Sequence, residues 1–145
     1  MKQLIVLVAV LPLLLVFMMQ ATLDQKNSAQ IGLFQQEVAV AREQARQAGC
    51  FSAAIQRNLK TRLGERLGIL PEEIVITATE EVQYRLNYFT AGQQRGLIHY
   101  RISIPIKRLM AGTRLLGIPA DANQGVYTIE GCTASERLPD AEGQS

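Results

Sequence analysis

Leu4–Met19 reads LIVLVAVLPLLLVFMM, without a charged or strongly polar side chain. Gln20, Ala21, Thr22 and Leu23 carry the segment on to Asp24. A helix of about 20 residues rises roughly 30 Å, which matches the hydrocarbon core of a bilayer. In lipid every backbone N–H and C=O needs an internal partner, and a helix supplies them all. Residues 1–23 are therefore expected to form a membrane helix, with the rest of the chain held at one side of the bilayer. The other reading is a cleaved secretory signal, with Lys2 as the basic start and the apolar run as its core. Against it, the run is as long as the longest signal cores. The best small-x-small cleavage site ends at Ala21 and has the bulky Met19 two residues earlier. No cysteine follows the run, so a lipoprotein anchor is not expected. Both readings send Asp24 onward out of the cytoplasm. Lys2 ahead of the helix favours an inside amino terminus, and Lys26 just beyond it pulls the other way.

Outward from this run, nothing in DQKNSAQ (24–30) breaks a helix. Ile31, Phe34, Val38, Ala41, Ala45 and Ala48 then recur at steps of three and four, the stripe of an amphipathic helix. One helix is expected from the membrane to about Ala48. Its stripe either packs on its own domain, the favoured reading, or meets a partner helix, for which the alanine-rich heptads are weak. Gly49 and Cys50 mark a bend. A second helix follows, capped by Ser52, with Phe51, Ile55, Leu59, Leu63 and Leu67 along its apolar face. Gly68 and Pro71 end it. Ile74–Thr79 is rich in β-branched residues, and Val82–Phe89 and Leu97–Ile106 alternate apolar and polar, so each is predicted to be a strand. Lys107–Gln124 reads as a long loop, and Val126–Cys132 as a last strand. From Thr133 the tail is polar and expected to be loose. The order predicts an α+β fold with three or four antiparallel strands under the helices. Its parts are a membrane helix (1–23), an amphipathic helix (24–49), a globular head (50–132) and a flexible tail (133–145).

Composition excludes more than it suggests. Of 15 Lys and Arg only Lys2 precedes the domain, so the remainder nearly balances 13 Asp and Glu. No basic block with interleaved aromatics appears, and nucleic acid is not an expected partner. Arg42, Arg46, Arg57, Lys60, Arg62 and Arg66 read as the solvated faces of the helices, with weak contact to anionic headgroups as the alternative. His99 is the only histidine and falls on the polar side of its strand beside Arg101, with no motif supplying a nucleophile. Glu72, Glu73, Glu80 and Glu81 read as ordinary charges flanking a strand rather than a paired-carboxylate site. There is no phosphate-binding glycine loop and no nucleophile elbow. Two cysteines and one histidine do not make a usual metal ligand set. No enzyme activity, cofactor, metal site or small-molecule substrate is expected. Cys50 and Cys132 are either a disulfide, favoured in an oxidising compartment, or two small buried hydrophobes. Pro12 removes one helix hydrogen bond, which gives either a mild kink or a loosening that helps the helix join a bundle.

An apolar amino-terminal helix that continues into an amphipathic helix over a small antiparallel sheet resembles pilins and pseudopilins. Val10-Leu11-Pro12-Leu13-Leu14-Leu15 resembles the VLPLLL stretch of TadE-like pilus-assembly proteins of the tight-adherence type. A strand ending near a proline (Ile104-Pro105), a variable loop and a last strand carrying a cysteine resemble that group as well. The resemblance implies a non-enzymatic minor pilin or pseudopilin. Such a protein would sit in a bacterial cell membrane as a single-pass subunit, with its amino terminus inside and its carboxy-terminal domain extracytoplasmic. It would act in assembly of a surface pilus or secretion appendage. Its partners would be membrane lipid, sibling pilin-like subunits or assembly-platform proteins. The residues expected to matter are Pro12, Leu13, Leu14, Leu15 and Phe17 for helix packing in the membrane. Ile31, Phe34, Val38, Ala41 and Ala45 would form the stripe, and Cys50 with Cys132 a clamp. The family's glutamate early in the apolar helix is missing, with Val6 about where it would fall, and no processing motif precedes it. That departure implies an uncleaved minor or initiating subunit. The alternative is an anchored or secreted extracytoplasmic binding module that recognises its ligand through Lys107–Gln124.

Overall fold

The computed structural model describes residues 2–85, 96–113 and 117–138. Its elements are α1 (Lys2–Ala48), α2 (Ala53–Leu67), a 3-10 turn at Pro71–Glu73, β1 (Val75–Ala78), β2 (Leu97–Lys107) and β3 (Gln124–Ala134). The layout is the α+β one expected: a long apolar helix, a second helix, then a three-stranded antiparallel sheet in the order β1-β2-β3. Helix α1 runs through Pro12 and through the polar 24–30 stretch without interruption. Ser52 caps α2, its hydroxyl oxygen accepting from the Ile55 N–H at 3.4 Å. Gly68 ends α2 with φ +65°, and its N–H donates to the Gly64 carbonyl. That left-handed conformation is costly for a residue with a Cβ.

Two compact units make up the chain, Met1–Gly32 with Pro105–Tyr127, and Leu33–Ile104 with Thr128–Ser145. The core of the second unit holds Phe34, Val38, Ala41 and Ala45 from α1, and Ile55, Leu59 and Leu63 from α2. Phe51, Ile74, Ile98, Tyr100, Ile102 and Ile104 complete it. Strand β2 alternates as read, with Ile98, Tyr100, Ile102 and Ile104 buried and His99 and Arg101 exposed. The β1–β2 register pairs Val75 with Ser103 and Ala78 with Tyr100.

Two expectations need correction. Val82–Arg85 is not a strand, and the rest of the expected Val82–Phe89 strand lies outside the described residues. The Gln83 N–H donates to the Gly49 carbonyl (2.8 Å) and the Arg85 N–H to the Arg137 carbonyl (2.7 Å). Backbone donors that a sheet ladder would use are committed instead to the end of α1 and to the tail. The tail, in turn, is not loose from Thr133. Strand β3 runs to Ala134, and Ser135 is buried, its hydroxyl donating to the Gln83 carbonyl at 2.6 Å.

Candidate membrane anchor and surface sites

The apolar half of α1 is built from Leu, Val, Ile, Met and Phe, with one proline. Every large apolar side chain from Leu4 to Met19 except Val16 is exposed; Leu13 is 71% and Phe17 74% accessible. Leu14 and Leu15 are exposed with them. Moving that many aliphatic and aromatic groups out of water is worth on the order of 20 kcal/mol. An uncovered apolar surface of this kind marks contact with lipid or with other helices. The helix is long and apolar enough to cross a membrane, and none of the apolar stretch is buried within the chain.

The stripe divides. Phe34, Val38, Ala41 and Ala45 are buried in the second unit's core, packed against their own domain, while Ile31 is half-buried. Between them sits Glu37, whose side chain is only 5% accessible. Its Oε1 lies 2.9 Å from Arg66 Nη1 and its Oε2 3.7 Å from Arg62 Nη1. Arg62 and Arg66 are thus partners of a buried carboxylate rather than members of a purely solvated face. The signal was available in the spacing: Glu37 falls three residues after Phe34 and one before Val38, on the apolar face of α1.

The expected clamp is not formed, since both cysteines are free. Cys50 is buried just beyond α1. Cys132 belongs to the exposed set of the β3 alternation, with Thr128 and Glu130. Period two decides the outcome: only a one-residue shift of β3 would turn Cys132 toward the core.

The outer face of the sheet carries a concavity of about 630 Å³, lined among others by Thr77, Thr79, His99, Arg101, Glu130 and Cys132. Arg101 is already engaged there, its Nε donating to Glu130 Oε2 at 2.8 Å and its Nη2 lying 2.6 Å from the same oxygen. Beside that pair the Ser103 and Thr128 hydroxyls share a hydrogen bond of 2.8 Å. The His99 N–H donates to Thr79 Oγ1 at 3.1 Å. This face offers hydroxyls and a self-neutralised ion pair. Among the described residues no group of three or more His, Cys, Asp and Glu side chains is placed to hold a metal ion.

In the first unit the Asn123 side chain is a second feature the sequence did not suggest. It is buried, and it bonds the backbone of Leu109 and Met110 in the long loop after β2. Comparison of the chain with protein-family models, curated proteins and solved structures finds no match.

Proposed function

We propose that this protein is a non-enzymatic, single-pass membrane subunit of pilin-like type, acting in assembly of a bacterial surface pilus or secretion appendage. The observation that supports this is the double use of one helix. The Leu4–Met19 part of α1 keeps its apolar side chains uncovered, while Phe34, Val38, Ala41 and Ala45 of the same helix are spent inside an α+β unit. With the stripe consumed internally, sibling helices are left the Leu13–Leu15 and Phe17 surface, and Pro12 loosens the backbone beside it. The amino terminus lies inside and the carboxy-terminal domain outside, in keeping with the positive charge of Lys2 just ahead of the run.

Mass spectrometry of protein from native membranes tests the anchor, and an intact mass that includes Met1–Leu23 is the expected result. Recovery of a soluble form beginning after Ala21 would sink the proposal. Cysteine crosslinking through Phe17→Cys in native membranes tests the subunit role; a ladder containing this chain and similar single-pass proteins is expected, and a monomer alone argues against it.

The second reading, an anchored or secreted binding module, was expected to use Lys107–Gln124; the concavity on the outer sheet face is a different surface, and its hydroxyls and amphoteric lining suit a neutral polar ligand. Gene neighbours separate the two: a secretion ATPase and a polytopic platform protein accompany the first, and an isolated or receptor-linked gene the second.

A further inference from the structure

Arg108–Ala111, in the loop that follows β2, has its polar backbone turned inward and its apolar side chains turned out. The Arg108 and Leu109 N–H groups donate to the Asn123 carbonyl at 3.0 and 3.3 Å. Those of Leu109 and Met110 donate to Asn123 Oδ1 at 3.0 and 2.7 Å. The Ala111 N–H donates to Gln20 Oε1 at 2.7 Å. On the acceptor side, Asn27 Nδ2 donates to the Arg108 carbonyl (3.1 Å), Gln20 Nε2 to that of Leu109 (3.1 Å) and Asn123 Nδ2 to that of Met110 (2.9 Å). Every backbone polar group from the Arg108 N–H to the Ala111 N–H therefore has a partner within the protein. Meanwhile the side chains of Leu109 and Met110 are 40% and 49% accessible. A loop facing water has no need of this arrangement, because water satisfies its backbone. A segment touching lipid requires it.

The same hydrogen bonds fix where the segment sits. Gln20 is the first polar residue after the apolar run, and it holds both Leu109 and Ala111. One turn earlier, Val16 lies so close to Gly112 that a Cβ there would stand 3.1 Å from both Val16 methyl groups. Leu4–Met19 spans roughly 24 Å as helix, most of the hydrocarbon core, with Lys2 and Gln3 toward one headgroup layer and Gln20 toward the other. The loop then meets the bilayer at the place where the helix leaves it. Exposed Arg108 is carried at the same level, where a guanidinium pairs with lipid phosphate.

We propose that Arg108–Met110 is a second membrane contact. Leu109 and Met110 enter the boundary between headgroups and acyl chains of the leaflet from which α1 emerges, and Arg108 binds phospholipid phosphate. The proposal rests on α1 being a membrane anchor. Its consequence for the subunit is that the rotation of α1 about its own axis and its depth in the bilayer are both set, which a lone apolar helix leaves free.

The test uses the full chain with Cys132→Ser in nanodiscs of phosphatidylcholine and phosphatidylglycerol brominated at the 6,7 positions of one acyl chain. Bimane is attached in turn at Leu13→Cys, Met110→Cys, Leu109→Cys and Asn58→Cys, with buried Cys50 left unreacted. Leu13 reports the anchor, and exposed Asn58 on α2 reports water. At least twofold quenching at position 13 and at 109 or 110, and none at 58, is expected. Adding Asn123→Ala, which removes the amide holding the segment's backbone, should at least halve the quenching at 110. Quenching at 13 with 109 and 110 matching 58 overturns the second contact and leaves the anchor standing. No quenching at 13 overturns the anchor and the inference with it. Shielding of 109 and 110 from iodide without quenching by brominated lipid means that protein covers them, and this too overturns the proposal.

Discussion

Replacing Arg62 and Arg66 together by Met should unfold the second unit far more readily than removing an ordinary surface pair. Glu37 is almost wholly enclosed, with Arg66 at 2.9 Å and Arg62 at 3.7 Å as its cationic partners. Removing the partners of a buried charge costs about 3–5 kcal/mol. Because the arginine side chains themselves are 51% and 37% accessible, water screens part of the interaction and the low end applies, about 3 kcal/mol. Buried Cys50 supplies the assay. In a Cys132→Ser background, its alkylation under native conditions requires the unit to open. A cost of about 3 kcal/mol raises the labelling rate roughly 100-fold. The exposed Arg101–Glu130 pair is the internal comparison, and Arg101→Met should cost under about 1 kcal/mol, less than about fivefold in rate. Adding Glu37→Met to the double variant should restore most of the loss, since an apolar replacement of the whole cluster leaves no stranded charge. Acceleration of less than about fivefold in Arg62→Met/Arg66→Met, or no rescue by Glu37→Met, would refute the view of Glu37 as a buried, paired carboxylate.

Thiol titration of the native protein should find one prompt equivalent, Cys132, with Cys50 reacting only on unfolding; reduction should not add two daltons to the intact mass. Gly68→Ala should cost about 1 kcal/mol, the left-handed backbone penalty alone, because nothing lies within 4 Å of the new methyl group. Gly49→Ala should cost clearly more, since its φ is +83° and the added Cβ would lie 2.6 Å from the Gln83 carbonyl oxygen; urea midpoints followed by circular dichroism in micelles rank the two. Ser52→Ala should lower stability by about 1 kcal/mol through loss of the α2 cap, and an unchanged midpoint would show that the 3.4 Å bond contributes nothing.

Elements with strong local periodicity were legible in the sequence. The four-residue repeat from Phe51 to Leu67 and the strict alternation of Ile98, Tyr100, Ile102 and Ile104 each became the element expected, because in both the buried face is written at one regular spacing within a short window. The polar 24–30 stretch, which holds nothing that breaks a helix, continues α1 as expected. Val82–Arg85 misled because its alternation is real while its backbone donors are claimed by Gly49 and Arg137, a competition between distant segments that no window contains. The cysteines misled in a related way. Two cysteines in an oxidising compartment would favour pairing, but the phase of β3 sets Cys132 outward, and phase against the core is a tertiary property. Glu37 is legible from its place on the helix wheel beside Phe34 and Val38, and its charge is accommodated there by Arg62 and Arg66 of α2. Asn123 left no signal, since its partners are backbone groups more than ten residues away.

The carboxyl end of α1 is finished by residues about ninety positions further along the chain. The Arg46 carbonyl accepts from the Glu136 N–H, Arg137 Nη1 donates to the Ala48 carbonyl, and the Arg46 and Glu136 side chains pair. During synthesis, then, this helix terminus must wait for residues 136 and 137 to leave the ribosome before its last carbonyls find their partners. Premature stops just short of Ser135 should therefore leave these carbonyls without those partners and yield a protein that is cleared by quality-control proteases.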